Sequence, residues 1–285
     1  SDAMASPPII SLTTDFCVGS PYVAEMKGVI LGIAPTAVIV DVTHGIEPQN
    51  VREGALVLRQ VIPAFPLGSI HVAVIDPGVG TNRAILIAEI AGKFVIAPDN
   101  GLLWPLIQCQ QSNVHVFRAN QPQFWRDDVS ATFHGRDVMA PLAAHLAKGV
   151  VMNELGESIS EVVRLELPLP SRETLSGPRG DDYCDASAHV AEQLAGEVIY
   201  VDTFGNLVTN IHVSDLRKQQ IVAAEMGGPP AKRIEQLVRT YGDAKAGTTV
   251  ALFGSSGYLE VAVVNGHAGQ RLGFAAGAPI RIRLA

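Results

Sequence analysis

The chain has 285 residues, 47% of them apolar and 17% charged, with a net charge of −7. That is enough apolar material for two cores and argues against disorder. The negative balance, with no basic run, excludes a broad nucleic-acid or anionic-membrane surface, because both need clustered Lys and Arg to replace counterions.

Ser1 to Ala3, ahead of Met4, read as a remnant before the natural start and are set aside. Ile9 to Thr13 is a short strand-like run, and Tyr22 to Ile33 carries helical spacing until Ala34-Pro35 stops it. Val38 to Val42 predicts a second strand and Val51 to Val61 a second helix, closed by Pro63. This βαβα rhythm points to a mainly parallel sheet with helices on its faces.

Ile70 to Ile75, Ala84 to Ile90 and Phe94 to Ala97 predict three more strands, close enough to imply local antiparallel pairing. Helices are expected at Gly101 to Gln108 and Val138 to Lys148. Pro168 to Ser187 is rich in Pro, Gly, Ser and Asp and reads as a linker. Beyond it, Gly196 to Asp202, Leu207 to Ile211, Thr248 to Phe253, Tyr258 to Val264 and Pro279 to Leu284 have the texture of a small β-barrel or sandwich. The expected layout is an N-terminal α/β domain over 7–175, a linker over 176–192 and a smaller C-terminal β-barrel domain over 193–285.

Cys17, Cys109 and Cys184 are widely spaced with no CxxC pair, which fits free thiols in a reducing cytoplasm better than a disulfide framework or a zinc ribbon. No basic-then-apolar leader occurs, and no apolar run approaches the roughly 20 residues of a membrane helix, so a cytoplasmic protein without an anchor is expected.

Polar residues at the ends of apolar runs mark where an open α/β sheet presents its ligands. The Asp76-Pro77-Gly78-Val79-Gly80 turn lacks the Lys-Ser/Thr of a phosphate loop and turns into a strand. Its glycines bring Asp76 and Arg83 side by side across a hairpin, as a structural salt bridge or as a catalytic couple. His134 sits in a Gly-flanked turn before a helix. A metal held by His134 and Asp137 would lack a third protein ligand, so a metal-free role is preferred. Gly254-Ser255-Ser256-Gly257 lacks the G-x-S-x-G spacing of a nucleophile elbow and suits ligand contact or a plain turn.

Six ordered segments, TTDF at Thr13 to Phe16, VIDPGVGTNR at Val74 to Arg83, APDNGLL at Ala97 to Leu103, FHGRD at Phe133 to Asp137, DTFGN at Asp202 to Asn206 and SSGYLEVAV at Ser255 to Val263, run through nearly the whole chain. Together they resemble the S-adenosylmethionine hydrolases, also called SAM hydroxide adenosyltransferases, which are related to fluorinating and chlorinating enzymes that attack the same substrate. The resemblance implies hydrolysis to adenosine and methionine without a cofactor or metal. It also implies a homotrimer whose active sites lie between the N-terminal domain of one subunit and the C-terminal domain of the next.

By the same resemblance Asp76, Arg83 and His134 form the water-activating set, with either Asp76 or His134 as the base. Asp15 holds the ribose hydroxyls, Asn206 reads adenine, and Phe204, Ser255, Tyr258 and Glu260 complete the substrate contacts. Halogenases carry Tyr at the position of Asp76, where a carboxylate would repel a bare halide. Two departures stand out: Gly254 where Asn is expected before the serine, and Ser256 where halogenases carry Arg near the methionine carboxylate. A halogenase and a non-catalytic nucleoside sensor are the alternatives carried forward.

Overall fold

The computed structural model describes residues 6–110, 113–175 and 191–285. It divides into two compact units, Ser1–Leu167 and Pro168–Ala285. Together they make a mixed α/β fold with two sheets.

In the first unit, β1 (Ile9–Thr14), α1 (Pro21–Ile33), β2 (Val38–Thr43), α2 (Val51–Val61) and β3 (Ile70–Val74) follow in the expected order. Then come β4 (Ile85–Ile90), β5 (Lys93–Pro98), α3 (Trp104–Cys109), β6 (Val114–Ala119), α4 (Ala140–Ala147), α5 (Met152–Leu155) and β7 (Gly156–Ile159). Pro21 follows the Ser20 cap of α1, and the Asn50 side chain accepts the Glu53 N–H to start α2. Strand β3 alternates its side chains between two buried faces. Val72 and Val74 meet Met26 of α1 and Leu142 of α4, while Ala73 packs with Leu58 of α2 and Leu102 before α3.

The strand order is β2-β1-β3-β5-β4-β6-β7. Pairs β1–β2, β1–β3 and β3–β5 are parallel; β4–β5, β4–β6 and β6–β7 are antiparallel. The sheet is therefore evenly mixed rather than mainly parallel. The reason is local: Ala91-Gly92 is far too short for a crossover, so β5 folds back on β4 and lies between β4 and β3.

One polar group interrupts this core. His71 is buried on β3, with Nδ1 2.6 Å from Ser11 Oγ and Nε2 2.9 Å from Ser69 Oγ. Burial, with the Lys93 charge adding to it, brings its pKa down to about 4.

The second unit holds β8 (Ser171–Leu175), β9 (Ala191–Val201), β10 (Leu207–His212), β11 (Ile221–Met226), β12 (Lys232–Arg233), β13 (Gln236–Leu237), β14 (Thr249–Phe253), β15 (Tyr258–Val263), α6 (Ala268–Leu272) and β16 (Pro279–Leu284). They form one curled half-barrel in the order β12-β11-β16-β9-β10-β15-β14-β13, with β8 pairing β9. Leu194, Val198, Ile211, Val261 and Ile282 fill its concave core. Near the ends of the path, the Ile234 N–H donates to the Ala224 carbonyl at 2.9 Å.

Residues 171–175, expected with the N-terminal domain, pair with β9 in this second sheet, so the division falls at Leu167/Pro168. Composition misled here because β8 is an edge strand inside a Pro- and Gly-rich tract. The linker expected at 176–192, like Cys184, falls almost entirely outside the described residues.

Candidate active site

The C-terminal ends of parallel neighbours β1 and β3 place Asp15 and Asp76 on one rim of the first sheet. Asp76 and Arg83 do not face each other across a hairpin, since β5 separates β3 from β4. Their connection arches over the end of β5 instead. Two bonds from the residues after β5 hold this arch: Asn100 Nδ2 donates to the Ile75 carbonyl at 2.9 Å, and Asp99 N–H to the Ala84 carbonyl at 2.9 Å.

The arch delivers a guanidinium to a carboxylate. Arg83 Nε lies 2.9 and 3.0 Å from the two Asp76 oxygens, Nη2 also bonds Asp76 Oδ2, and both side chains are nearly buried. Arg83 Nη2 is 2.9 Å from His134 Nδ1. The structure thus brings Asp76, Arg83 and His134 together around one arginine. Gly80 makes this possible: its φ is +80°, and a Cβ there would come within 2.6 Å of the Ala131 carbonyl on the loop that carries His134.

Arginine only donates, so His134 Nδ1 accepts and its proton resides on Nε2. Burial and then the Arg83 charge lower the His134 pKa below its ordinary value, against the pull of Asp76 and Asp137. The imidazole is therefore neutral at pH 7. Asp137 is fully buried and its oxygens are occupied: Oδ1 accepts from Arg126 and Arg136, Oδ2 from the Ser130 N–H and Arg136. It pins the His134 loop. Gly135–Met139 forms a π-turn running into α4, so the helix begins earlier than the expected Val138.

Asp15 is half-buried, and its Oδ2 accepts the Gln49 N–H at 2.7 Å. Phe16, Tyr22 and Phe133 pack edge to face with centroids 5.1 to 5.7 Å apart, joining the loops of Asp15 and His134. A cleft of about 510 Å³ reaches Arg83 and His134 between Thr81, Asp99, Arg118 and Trp125.

The second unit carries the other residues expected to touch substrate. Asp202 Oδ1 accepts the Phe204 and Asn206 N–H groups at 2.9 and 2.8 Å, and Oδ2 accepts from Asn206 Nδ2 at 2.9 Å. Asn206 Nδ2 also lies 3.3 Å from the Tyr241 hydroxyl, which donates to Glu260 Oε2 at 2.8 Å. Burial, joined by the Asp202 charge, raises the Glu260 pKa despite that hydrogen bond. Phe204 is 77% exposed on this turn. Ser255 lies in the β14–β15 turn closed by Gly254 N–H to the Tyr258 carbonyl, and the Tyr258 ring meets His212 edge to face at 5.1 Å.

A Cβ at position 254 would land on the Glu260 carboxylate, which explains glycine where asparagine was expected. Sequence reasoning missed Tyr241, Asn100, Thr14 and His44. Tyr241 lies in a short helical turn with no motif, whereas His44, three residues after Asp41 in the run Asp-Val-Thr-His, left a signal at a strand end.

An arginine fixed between a carboxylate and a neutral imidazole, at the C-terminal rim of a sheet, defines a site built to hold a polarised water or a small anion. The model of the SAM hydroxide adenosyltransferase N-terminal domain matches residues 10–156 and that of its C-terminal domain residues 196–281, and the chain belongs to this family. It is 36% identical over 98% of its length to 99% of a Salinispora arenicola protein named (R)-S-adenosyl-L-methionine hydrolase. It is also 31% identical, over 90% of each chain, to an Actinoplanes fluorinase. A crystal structure of an uncharacterized conserved protein from Thermotoga maritima superposes with a TM-score of 0.83 at 31% identity, covering 96% of this chain and 99% of the other.

Proposed function

We propose that the chain hydrolyses S-adenosyl-L-methionine to adenosine and L-methionine, by attack of an activated water on the ribose C5′ carbon. The observation that carries this reading is the carboxylate of Asp76 bound to Arg83 in a nearly buried site beside neutral His134. Attack by hydroxide on a sulfonium neutralises both charges, a change favoured where water is excluded and the dielectric is low. Bulk water has a pKa near 15.7, so donors that stabilise the forming hydroxide supply what water lacks. Arg83 is that donor. His134 has its Nδ1 lone pair turned to Arg83, so its Nε2–H orients the water and Asp76 is favoured as the proton acceptor.

Asp15 holds the ribose hydroxyls through the oxygen that Gln49 leaves free. Asn206 reads adenine, Phe204 stacks on it, and Ser255, Tyr258 and Glu260 receive the methionine end. The rest of the reading follows from the family resemblance: a C-terminal barrel, a cytoplasmic homotrimer that pairs the two half-sites across subunits, and no metal or organic cofactor. Among the described residues no helix is long and apolar enough to cross a membrane.

Incubating the protein with each sulfonium epimer and separating products by chromatography tests the proposal. Adenosine and methionine from the (R) epimer, the form in the relative's name, are expected. A 5′-halo-adenosine formed only with added halide would establish the halogenase reading, which the fluorinase relative supports and the Asp76 carboxylate opposes. Tight binding without product would leave a sensor.

A further inference from the structure

A chain of four polar side chains runs behind Asp15 and takes no part in the water-activating set. Thr14, fully buried at the end of β1, has its Oγ1 2.9 Å from His44 Nδ1. On the far side of the ring, His44 Nε2 lies 3.0 Å from Asp41 Oδ1, an ionic approach that is not aligned as a directed hydrogen bond. Asp41 Oδ2 takes Lys27 Nζ of α1 at 2.6 Å. Lys27 and, behind it, His44 hold the Asp41 carboxyl below its ordinary value in spite of its desolvation, so that anchor remains charged.

Thr14 Oγ1 also accepts the Phe16 N–H at 3.3 Å, and so spans the peptide on either side of Asp15. The Asp41 carboxylate beside Nε2 can only accept, so the ring proton sits on Nε2 facing it, and Nδ1 is left to accept the Thr14 hydroxyl proton. The loop from His44 to Asn50 then returns to Asp15 a second time. Gln49 adopts φ 66°, strained for a residue with a side chain, and its N–H meets Asp15 Oδ2. Asp15 is thus held at both ends of one loop: from below through Thr14 by His44, and at the carboxylate by Gln49.

We infer that His44 is a positioning residue for Asp15, fixing through Thr14 the turn that presents the carboxylate to the ribose. The inference rests on the ribose role proposed above. It requires His44 to act on substrate binding and not on the attack itself, because His44 bonds the Asp15 turn and no member of the Arg83 hub.

The test compares His44→Ala, His44→Asn and His44→Gln with Asp15→Ala as reference, reading adenosine binding by calorimetry and kcat and KM with S-adenosylmethionine. His44→Ala is expected to raise the adenosine Kd and KM roughly three- to tenfold, the scale of one hydrogen bond, with kcat within about twofold. Asparagine places an acceptor where Nδ1 sits and is expected to restore most of the loss; glutamine, which reaches the Nε2 position, is not. Thr14→Val should match His44→Ala, and the double variant should add little to either. Asp41→Asn, at an exposed site, should shift KM in the same direction by less.

Equal loss in the Asn and Ala variants, strict additivity with Thr14→Val, or a fall in kcat at unchanged KM would overturn the inference. If wild-type protein forms no product, the hydrolase reading fails while the adenosine series still reports on the link to Asp15. If Asp15→Ala leaves adenosine binding unchanged, the ribose role fails and the inference with it.

Discussion

The polar cluster of the first unit and that of the second have opposite electrostatic designs. Around Arg83, the Asp76 charge is answered by a cation and the third member is a neutral ring. Around Asn206, two carboxylates, Asp202 and Glu260, share only amide and hydroxyl donors, and among the described residues neither has an ion-pair partner. The first arrangement keeps guanidinium donors in place for an anionic nucleophile. The second leaves negative charge uncompensated, which suits a cationic sulfonium or ammonium group. A substrate that is positive and a nucleophile that becomes negative need both designs, and neither half supplies the other's.

The largest effect that sharpens this contrast is expected at the first cluster. Asp76→Ala or His134→Ala should lower kcat roughly 100-fold or more while leaving the adenosine Kd unchanged, the loss typical of an acid–base group. Steady-state kinetics with calorimetry checks this, and an unaltered rate removes the residue from the chemistry.

Acid brings a second effect that has to be separated from catalysis. His71 binds its proton with a pKa of about 4 when folded against the ordinary 6.5, so the unfolded chain takes up protons first. Stability is then constant above about pH 6.5 and falls as pH drops toward 4, by about 2 kcal/mol at pH 5. Urea titrations at pH 7 and pH 5 read the difference, and His71→Gln should remove most of it. Within the folded enzyme, protonation of His134 below its lowered pKa forces its Nδ1–H against the Arg83 guanidinium. An acid limb in kcat is therefore expected below the ordinary histidine range.

Asp15→Ala should weaken adenosine binding roughly tenfold, as for loss of hydrogen bonds to a charged group, with kcat the lesser casualty. Smallest is Tyr241→Phe. It removes the bond that lowers the Glu260 pKa, so the carboxyl should titrate at a still higher pH, and KM should rise about threefold. The pH dependence of KM in the variant, displaced toward neutrality, is the signature. A displacement toward acid would contradict the role given to Tyr241.

Much of the first unit was legible because its signals are local. Strand-length apolar runs, the Ala34-Pro35 and Pro63 helix stops and the βαβα rhythm each act within a few residues. The convergence of Asp76, Arg83 and His134 was anticipated for a partly mistaken reason, since spacing suggested a hairpin where the strands are separated by β5. What spacing cannot encode is which strand is inserted between two others. The Thr14–His44 contact spans 30 residues, and the Gly254–Glu260 fit depends on how β14 pairs with β15, so neither has a periodic signature. Gly254 was visible as an oddity, but only the position of the Glu260 carboxylate gives it a cause.

The insertion of β5 also ties catalysis to the completion of the sheet. The segment bearing Asp76 and that bearing Arg83 are stitched to Asn100 and Asp99, which immediately follow β5. A folding intermediate that has docked β1, β2 and β3 but not yet threaded β5 into its slot would have buried apolar surface and no keystone beneath the arch. Recovery of activity during refolding should therefore coincide with protection of the β5 amides from hydrogen exchange. In this molecule the geometry around Arg83 is complete only when β5 occupies its place between β3 and β4.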